Sequence, residues 1–287
     1  MGRQAEQTTI ARPVVETGIG LHSGETCVVS LLPAEPDAGI AFVIGRRVIP
    51  ARTDYVVDTQ RGTTLGRGAA RVGCVEHLMA ALYGMEIDAA RVEVEGPELP
   101  ACDGSAAEWV KILRKAGLAR LGAKRDVPRL RRGVWAADGV TWAMAGPGGD
   151  GLSLAVGVDF ENTAAGKQAL WLRLNRRSFA RELAPARTFA LEGELEALRN
   201  RGLAKGGSAE NAFAVGADRY SGPLRFEDEV VRHKALDVLG DLALCGRRFR
   251  GHVVAVRPCH RTNVALARAL LQALENGGAG GTEARRD

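Results

Sequence analysis

The sequence predicts an α+β fold, because short strand-like runs and amphipathic helical segments recur in both halves of the chain. In the first half the strand-like runs are "TCVVSLLPA", "GIAFVIG" and "AARVEVEG", of which the last alternates apolar and polar residues. In the second half they are "TWAMAG", "LSLAVGVDF", "ALWLRL" and "RGHVVAVRP". Each half is therefore expected to be a layer of strands packed on helices.

Apolar residues at helical spacing predict the helices that cover these strands. The segments are "VEHLMAALYGM", "AAEWVKILRKAGL", "VVRHKALDVLGDLALCG" and "TNVALARALLQALENG". A further helix is predicted over "ALEGELEALRNRGL", ending at Gly202. Asp103 and Ser105 are candidate N-caps for the second of the four segments.

The chain length of 287 residues accommodates two domains. The segment "ARLGAKRDVPRLRRG" is polar and basic and contains a proline, so the boundary is placed there. We predict an N-terminal α+β domain over residues 1–125 and a C-terminal α+β domain over residues 126–275. Residues 276–287, rich in glycine, are expected to be a disordered tail.

Composition excludes several classes of protein. No apolar run approaches the ~20 residues of a membrane span, and the N-terminus has no secretory apolar segment, so the chain is expected to be cytoplasmic with at most peripheral membrane contact. Its five cysteines contain no CxxC pair, which argues against a disulfide framework. The net charge of +5 is dispersed rather than concentrated in one arm, so nucleic-acid binding is not expected.

The segment 230–246 places ionisable residues where an amphipathic helix should be apolar. His233, Asp237 and Asp241 follow one another at four-residue spacing, so they lie along one side of the helix. A His and a carboxylate one turn apart are a recurring way to present two ligands to a metal ion. The pair alone is weak support, because most such pairs are surface or core interactions.

A second helical segment, "VEHLMAAL", supplies Glu76 and His77. Adjacent helical residues point about 100° apart, so one of them could bind a metal while the other handles a proton. Ligation by His77, His233 and Asp237 would leave an open coordination position, as in catalytic zinc sites.

His260, in "RPCHRTN", follows a predicted strand and precedes a predicted helix, so it is expected in a connecting loop. With Asp241 orienting its ring it would serve as a general acid near neutral pH. The glycine-rich pieces "TGIGLHSGE" and "GLAKGGSAEN" lack the order of a phosphate-binding loop, and no GxSxG serine motif occurs.

These motifs together resemble the UDP-3-O-acyl-N-acetylglucosamine deacetylase (LpxC) family, the zinc amidases of lipid A synthesis. The resemblance runs from about residue 7 to residue 275. It is carried by "TGIGLHSGE", "TTLG", "VEHLMAALYGMEID", "PACDGSAAEWV", "ARTFAL", "RGLAKGGSAENA" and "LRFEDEVVRHKALDVLGDLALCG". The resemblance implies two domains of layered β-α-α-β type with the active site between them.

The resemblance also implies roles for individual residues. It implies a zinc ion held by His77, His233 and Asp237, for which iron(II) would also be suitable. It further implies the following catalytic and substrate-binding set: Glu76 as the general base, His260 as the cationic acid with Asp241 behind it, Thr188 at the oxyanion, and Lys234 and Phe189 on the substrate. Residues 191–215 would form a βαβ insertion that walls an acyl-chain passage.

The implied activity is hydrolysis of the N-acetyl group of a UDP-sugar that carries an acyl chain, by a monomeric enzyme. The chain departs from the family at "CHRTN", where the family has glycine before the histidine, and at "RGTT", where the family has a leucine–cysteine pair. Two alternatives therefore stay open. One is a paralogue acting on a different N-acetylated sugar or glycolipid, and the other is a non-catalytic glycolipid-binding relative.

Overall fold

A computed structural model describes residues 5–275 of the chain. In this part the fold is α+β, as predicted, and the elements alternate between sheets and helices throughout. The predicted tail, residues 276–287, lies outside the described residues. None of the helices within residues 5–275 combines the length and the apolar character that crossing a bilayer demands.

Residues 5–125 form two α-helices and ten strands. The helices are α1 (Glu76–Gly84) and α2 (Ala107–Ala116). The strands are β1 (Glu6–Ile10), β2 (Val14–Ile19), β3 (Thr26–Leu32), β4 (Ile40–Ile44), β5 (Arg47–Pro50), β6 (Val56–Asp58), β7 (Thr64–Arg67), β8 (Ala70–Val72), β9 (Ala90–Glu95) and β10 (Leu118–Lys124).

The second half of the described chain forms four helices and seven strands. The helices are α3 (Arg176–Ser178), α4 (Leu195–Asn200), α5 (Glu229–Ala243) and α6 (His260–Glu275). The strands are β11 (Val134–Asp138), β12 (Thr141–Gly146), β13 (Leu152–Phe160), β14 (Gly166–Leu174), β15 (Phe189–Leu191), β16 (Phe213–Val215) and β17 (Gly251–Val256).

The two halves have the same sheet topology. The first sheet has the order β2-β3-β9-β4-β5 and the second the order β11-β12-β17-β13-β14. In each sheet the strand formed last in the chain lies in the centre, parallel to one neighbour and antiparallel to the other. A helix precedes and another follows this central strand in both halves. The sequence shows no strong repeat, so this duplication is visible only in the topology.

The helices lie between the two sheets. Helices α5 and α6 pack on the second sheet, α2 contacts the first, and α1 packs directly against α5. Leu78 of α1, Val92 of β9 and Leu236 of α5 are all fully buried in one continuous apolar core. The predicted boundary near residue 125 falls in the link between β10 and β11, and the division into two domains stays a prediction.

Each half carries an insertion between its fourth sheet strand and its first long helix. In the first half it is the small sheet β6-β7-β8. In the second half β15 and β16 pair in parallel with α4 between them, which gives the βαβ arrangement expected for residues 191–215. The first insertion contacts the start of α1 through Thr63, and the second contacts α5 through Phe189.

Two local predictions are corrected by the structure. The helix predicted over "ALEGELEALRNRGL" is wrong in its first part, because residues 189–191 pair as a strand with β16 and only residues 195–200 are α-helical. The N-cap position of α2 is occupied by Ala106, and not by Asp103 or Ser105 as predicted. The Ser105 hydroxyl nevertheless accepts a hydrogen bond from the Ala107 N–H at 3.0 Å. The same hydroxyl donates a hydrogen bond to the carboxylate of Asp103.

Helix α5 is buried on nearly every side. Of its fifteen residues, only Arg232 and Lys234 are not buried. A helix covered all round is typical of the interior of a large domain. Its ionisable residues therefore lie inside the protein, where a carboxylate or imidazole needs partners.

Gly240 permits the close contact between α5 and α1. A Cβ atom at this position would lie 2.0 Å from the carbonyl oxygen of Glu76, the first residue of α1. Glycine in a helix interior costs about 1 kcal/mol relative to alanine. The contact explains why that unfavourable residue stands in the middle of α5.

We expect Gly240→Ala to destabilise the protein by about 2 kcal/mol or more, as overpacked cores do. The added methyl group meets backbone rather than a flexible side chain, so the two helices must separate. Urea unfolding measures the effect. Gly193→Ala is the matched control, because its Cβ would meet no atom within 4 Å. An unchanged unfolding midpoint in Gly240→Ala would contradict the prediction.

Candidate metal centre and active site

His77, His233 and Asp237 come together where α1 meets α5. The Nε2 atoms of His77 and His233 lie 3.6 Å and 3.4 Å from Oδ1 of Asp237. The two imidazole rings stand nearly perpendicular, with centroids 5.0 Å apart. One ligand atom from each residue lies within 4.8 Å of the others, which is close enough for all three to reach one ion.

Hydrogen bonds fix the direction of these side chains. Nδ1 of His233 donates to the backbone carbonyl of Ala186 at 3.1 Å, which leaves Nε2 free to face Asp237. Lys234 donates to Oδ2 of Asp237 at 2.7 Å, so Oδ1 is the oxygen left for the histidines. Metal-binding histidines are typically oriented in this way by a carbonyl on the second ring nitrogen.

The local electrostatics suit a cation at this position. Burial lowers the pKa of His233 to about 4, so its imidazole is neutral at pH 7. The pKa of Asp237 is held well below its usual range: burial opposes ionisation, but the neighbouring His233 and Lys234 outweigh it. Burial acts to lower the pKa of His77, yet Asp237 raises it overall. Two imidazoles and a carboxylate fit zinc, and they would also fit iron(II).

Glu76 opens α1 directly beside His77 and is only 4% exposed. Its Oε2 atom accepts a hydrogen bond from the backbone N–H of Thr63 at 2.9 Å. Burial raises the pKa of Glu76 above the ordinary glutamate value, and nearby His260 and His77 oppose that rise. A buried carboxylate with a raised pKa is suited to exchanging a proton near neutral pH.

His260 and Asp241 form a buried pair on the other side of the centre. His260 is the first residue of α6, so its predicted place in a loop is wrong. Its Nδ1 lies 2.8 Å from Oδ2 of Asp241, which is fully buried. Burial disfavours the imidazolium, but the Asp241 carboxylate outweighs this and raises the pKa of His260 to about 9.

Three donors hold the Asp241 carboxylate. Besides His260, Asn263 donates to Oδ2 at 2.9 Å and the Thr63 hydroxyl donates to Oδ1 at 2.6 Å. Thr63 therefore contacts Glu76 through its backbone and Asp241 through its side chain. Its roles were missed in the sequence, although it lies in the "TTLG" motif, because its partner Asp241 is 178 positions away.

The departures from the family pattern leave this pair in place. Cys259 has an ordinary backbone conformation, and the left-handed residue near it is Arg257, with φ of 49°. Arg261 is 73% exposed and pairs with Asp138. No glycine is therefore needed immediately before His260 in this chain.

Thr188 and Phe189 are held beside the centre by a buried ion pair. Arg187 donates to both carboxylate oxygens of Glu229, the first residue of α5, at 2.9 Å and 3.1 Å. The N–H of Thr188 donates to Gly104 at 2.8 Å. The ring of Phe189 lies 6.0 Å from that of His233.

One cleft of about 370 Å³ collects most of the predicted site residues. Its lining includes Glu76, His77, Thr188, Phe189, His233, Lys234, Asp237 and His260. Asp241 is the exception, since it lies behind His260. Glu194 of the insertion, which also lines the cleft, pairs with Arg61 of the "RGTT" segment at 2.8 Å.

A possible metal-binding trio, a buried carboxylate and a cationic imidazole in one cleft are the parts of a metallohydrolase site. The sequence model of the family described as "LpxC: UDP-3-O-acyl N-acetylglycosamine deacetylase" matches residues 7–272. The chain belongs to this family.

Individual proteins that are similar to this chain are named after the same deacetylase activity as the family. "UDP-3-O-acyl-N-acetylglucosamine deacetylase" of Anaeromyxobacter dehalogenans is 46% identical over 92% of this chain and 87% of its own. The protein of that name from Myxococcus xanthus is 43% identical over 92% and 86%. That of Trichormus variabilis is 40% identical over 94% of this chain and all of its own. These likenesses favour the deacetylase over the two alternatives left open by the sequence.

We expect wild-type protein to bind roughly one divalent ion per chain, as a three-ligand site does. Asp237→Asn and His233→Gln should each lose most of that binding, because each removes one of the three donors. Metal content after dialysis against zinc measures this. His252→Gln, which changes a histidine whose ring contacts Ser153 on the second sheet, is the control and should keep the ion. Full metal content in both ligand variants would contradict the assignment.

Proposed function

We propose that this protein hydrolyses the N-acetyl group of UDP-3-O-acyl-N-acetylglucosamine and releases acetate, the deacetylation step of lipid A biosynthesis. The observation that carries the proposal is the single cleft in which a candidate base, a candidate acid and three candidate ligands meet. The shared name of relatives that are 40–46% identical supports this substrate.

The cofactor we propose is a zinc ion held by His77, His233 and Asp237. When bound, zinc supplies a Lewis acid that polarises a carbonyl and makes water more acidic. The chain's own contribution is the direction of the ligand atoms, which the bonds from Ala186 and Lys234 maintain. Because an ammonium has three donors, Lys234 can bond Asp237 and also contact a substrate oxygen.

Glu76 is the proposed general base. It would accept a proton from the water that attacks the acetamide carbon. The Thr63 N–H bonds one carboxylate oxygen, and Glu76 is among the residues that line the cleft. The burial that raises its pKa also makes the resulting carboxylic acid stable enough to form.

His260 is the proposed acid and oxyanion partner. As the carbon–nitrogen bond breaks, the amine must leave with a proton, and a cationic imidazole can provide it. Before that step, positive charge on His260 and the hydroxyl of Thr188 would stabilise the negative carbonyl oxygen. Asp241 keeps the imidazole protonated and fixes its orientation.

We assign the remaining parts of this substrate to the walls of the cleft. We propose that Phe189 packs against the sugar and that the β15–α4–β16 insertion borders the acyl chain. The ring of Phe189 is itself supported by Phe160 at 5.5 Å and Phe213 at 5.9 Å, so it presents a rigid apolar surface. We also propose a monomeric enzyme in the cytoplasm. The five cysteines are all unpaired, which fits a reducing compartment.

The first experiment is release of acetate from UDP-3-O-acyl-N-acetylglucosamine by purified protein with known metal content. Glu76→Gln should lower kcat by about 10²- to 10⁴-fold, as removal of a general base does, and should keep its zinc. Glu95→Gln, an exposed carboxylate on β9, is the control with normal activity. Zinc-loaded wild type that leaves this substrate untouched would refute the proposed substrate, and an active Glu76→Gln would refute the base.

The dependence of kcat/KM on pH tests His260. Its pKa is raised to about 9, so the cation is present below that pH and is lost above it. We expect an alkaline limb centred near pH 9. Asp241→Asn removes the charge that raises the pKa, so the limb should move to lower pH and activity at pH 7–8 should fall.

Asp138→Asn is the matched control for Asp241→Asn. Asp138 also neutralises a cation near His260, but its partner Arg261 is solvent-exposed, so the limb should stay where it is. An alkaline limb that does not respond to Asp241→Asn would assign that limb to another group.

A further inference from the structure

The outer face of the second sheet carries an unbroken apolar surface. It is the face turned away from α5 and α6. The register aligns two rows of residues across all five strands, and we call these ten residues the tryptophan face. The rows are Trp135, Met144, Val254, Ala155 and Trp171, and Ala137, Trp142, Val256, Gly157 and Ala169.

The large side chains of this face are exposed. Trp135 is 67% exposed and Trp171 is 66% exposed, while Trp142 and Met144 are each 39% exposed. Single exposed apolar residues are ordinary, but a contiguous surface of them marks an interaction site. Val140, at the turn between β11 and β12, is 68% exposed and extends the surface beyond the second row.

The architecture does not require this apolar face. The first sheet has the same topology, yet the outward residues of its central strand are Arg91, Glu93 and Glu95. On the central strand of the second sheet the outward residues are His252, Val254 and Val256. The centre of the outer face is therefore charged in the first sheet and mainly apolar in the second, although the outer strands of the first sheet also expose Val15, Ile19 and Val48.

One edge of the tryptophan face is cationic. Arg173 lies on β14 in the next row and donates to the backbone carbonyl of Asp150, and Arg131 and Arg132 lie at the same edge, separated from β11 by Gly133. All three are exposed, and none forms an ion pair within residues 5–275. At the opposite edge the cations Arg257 and Arg261 are paired with Asp159 and Asp138.

We propose that the tryptophan face docks on the surface of an anionic lipid bilayer. Tryptophan rings are favoured at the boundary between lipid headgroups and acyl chains, and arginines beside them bind anionic headgroups. Five strands at ~4.8 Å spacing and two rows give a strip of roughly 300 Å². A stable protein interface needs about 800 Å² per partner, so the strip alone is too small for a dimer. The proposal is independent of the proposed reaction.

The test is co-sedimentation of the full-length protein with phosphatidylcholine vesicles, with and without phosphatidylglycerol. We expect binding to the vesicles that contain phosphatidylglycerol, a blue shift of tryptophan fluorescence on binding, and weaker binding at high salt. Binding to neither vesicle type would overturn the proposal, as would equal binding to both with no effect of salt.

Variants separate the apolar and the cationic contributions. Because each cation near an anionic surface contributes about fivefold, Arg131→Gln with Arg132→Gln should weaken binding by about 25-fold. Trp135→Thr with Trp171→Thr should abolish the fluorescence shift and most of the binding. Val15→Thr with Val48→Thr is the matched control, since these exposed residues lie on the first sheet.

Circular dichroism and release of acetate from soluble substrate check that every variant is folded, because none of these residues lines the cleft. An equal loss of binding in the Val15 and Val48 control would overturn the assignment to this face. A wild-type dimer that the tryptophan substitutions dissociate would also overturn it, since the face would then belong to a second copy of the chain.

Discussion

The contact between α1 and α5 at Gly240 is the constraint on which the site depends. It brings the backbone of Glu76 against Gly240 in α5. On that helix Asp237 lies within one turn before Gly240, and Asp241 directly follows it. Functional side chains must be held within about half an ångström of their working geometry. A methyl group at residue 240 would therefore displace the base and one candidate ligand together.

Burial of so many ionisable groups is possible because each has a partner. Asp241 accepts from three donors, and Asp237 faces two imidazoles and a lysine. The same burial acts differently on the proposed base and acid. It raises the pKa of Glu76, whereas at His260 the carboxylate of Asp241 outweighs it and stabilises the cation. Separate environments of this kind assign opposite proton-transfer roles to neighbouring groups.

The duplicated topology explains how two similar halves contribute different chemistry. Both provide a helix before the central strand, but α1 supplies Glu76 and His77 at its first turn while α5 supplies residues from its interior. The insertions follow the fourth strand in both halves and so reach the same cleft. The outer faces, which the helices do not cover, differ at their central strands, which are charged in the first sheet and mainly apolar in the second.

The sequence by itself determined the α+β class, most strands and long helices, and the line of His233, Asp237 and Asp241 along one helix, because periodicity and turn residues act locally. The residue pattern also singled out Glu76, His77 and His260, and the resemblance added Thr188, Phe189 and Lys234 to the residues that the cleft collects. Tertiary structure alone decided that residues 189–191 are a strand, that His260 begins a helix, and that Thr63 contacts Glu76 and Asp241. These features depend on pairing and packing between distant segments, and such contacts leave no periodic signal in the chain.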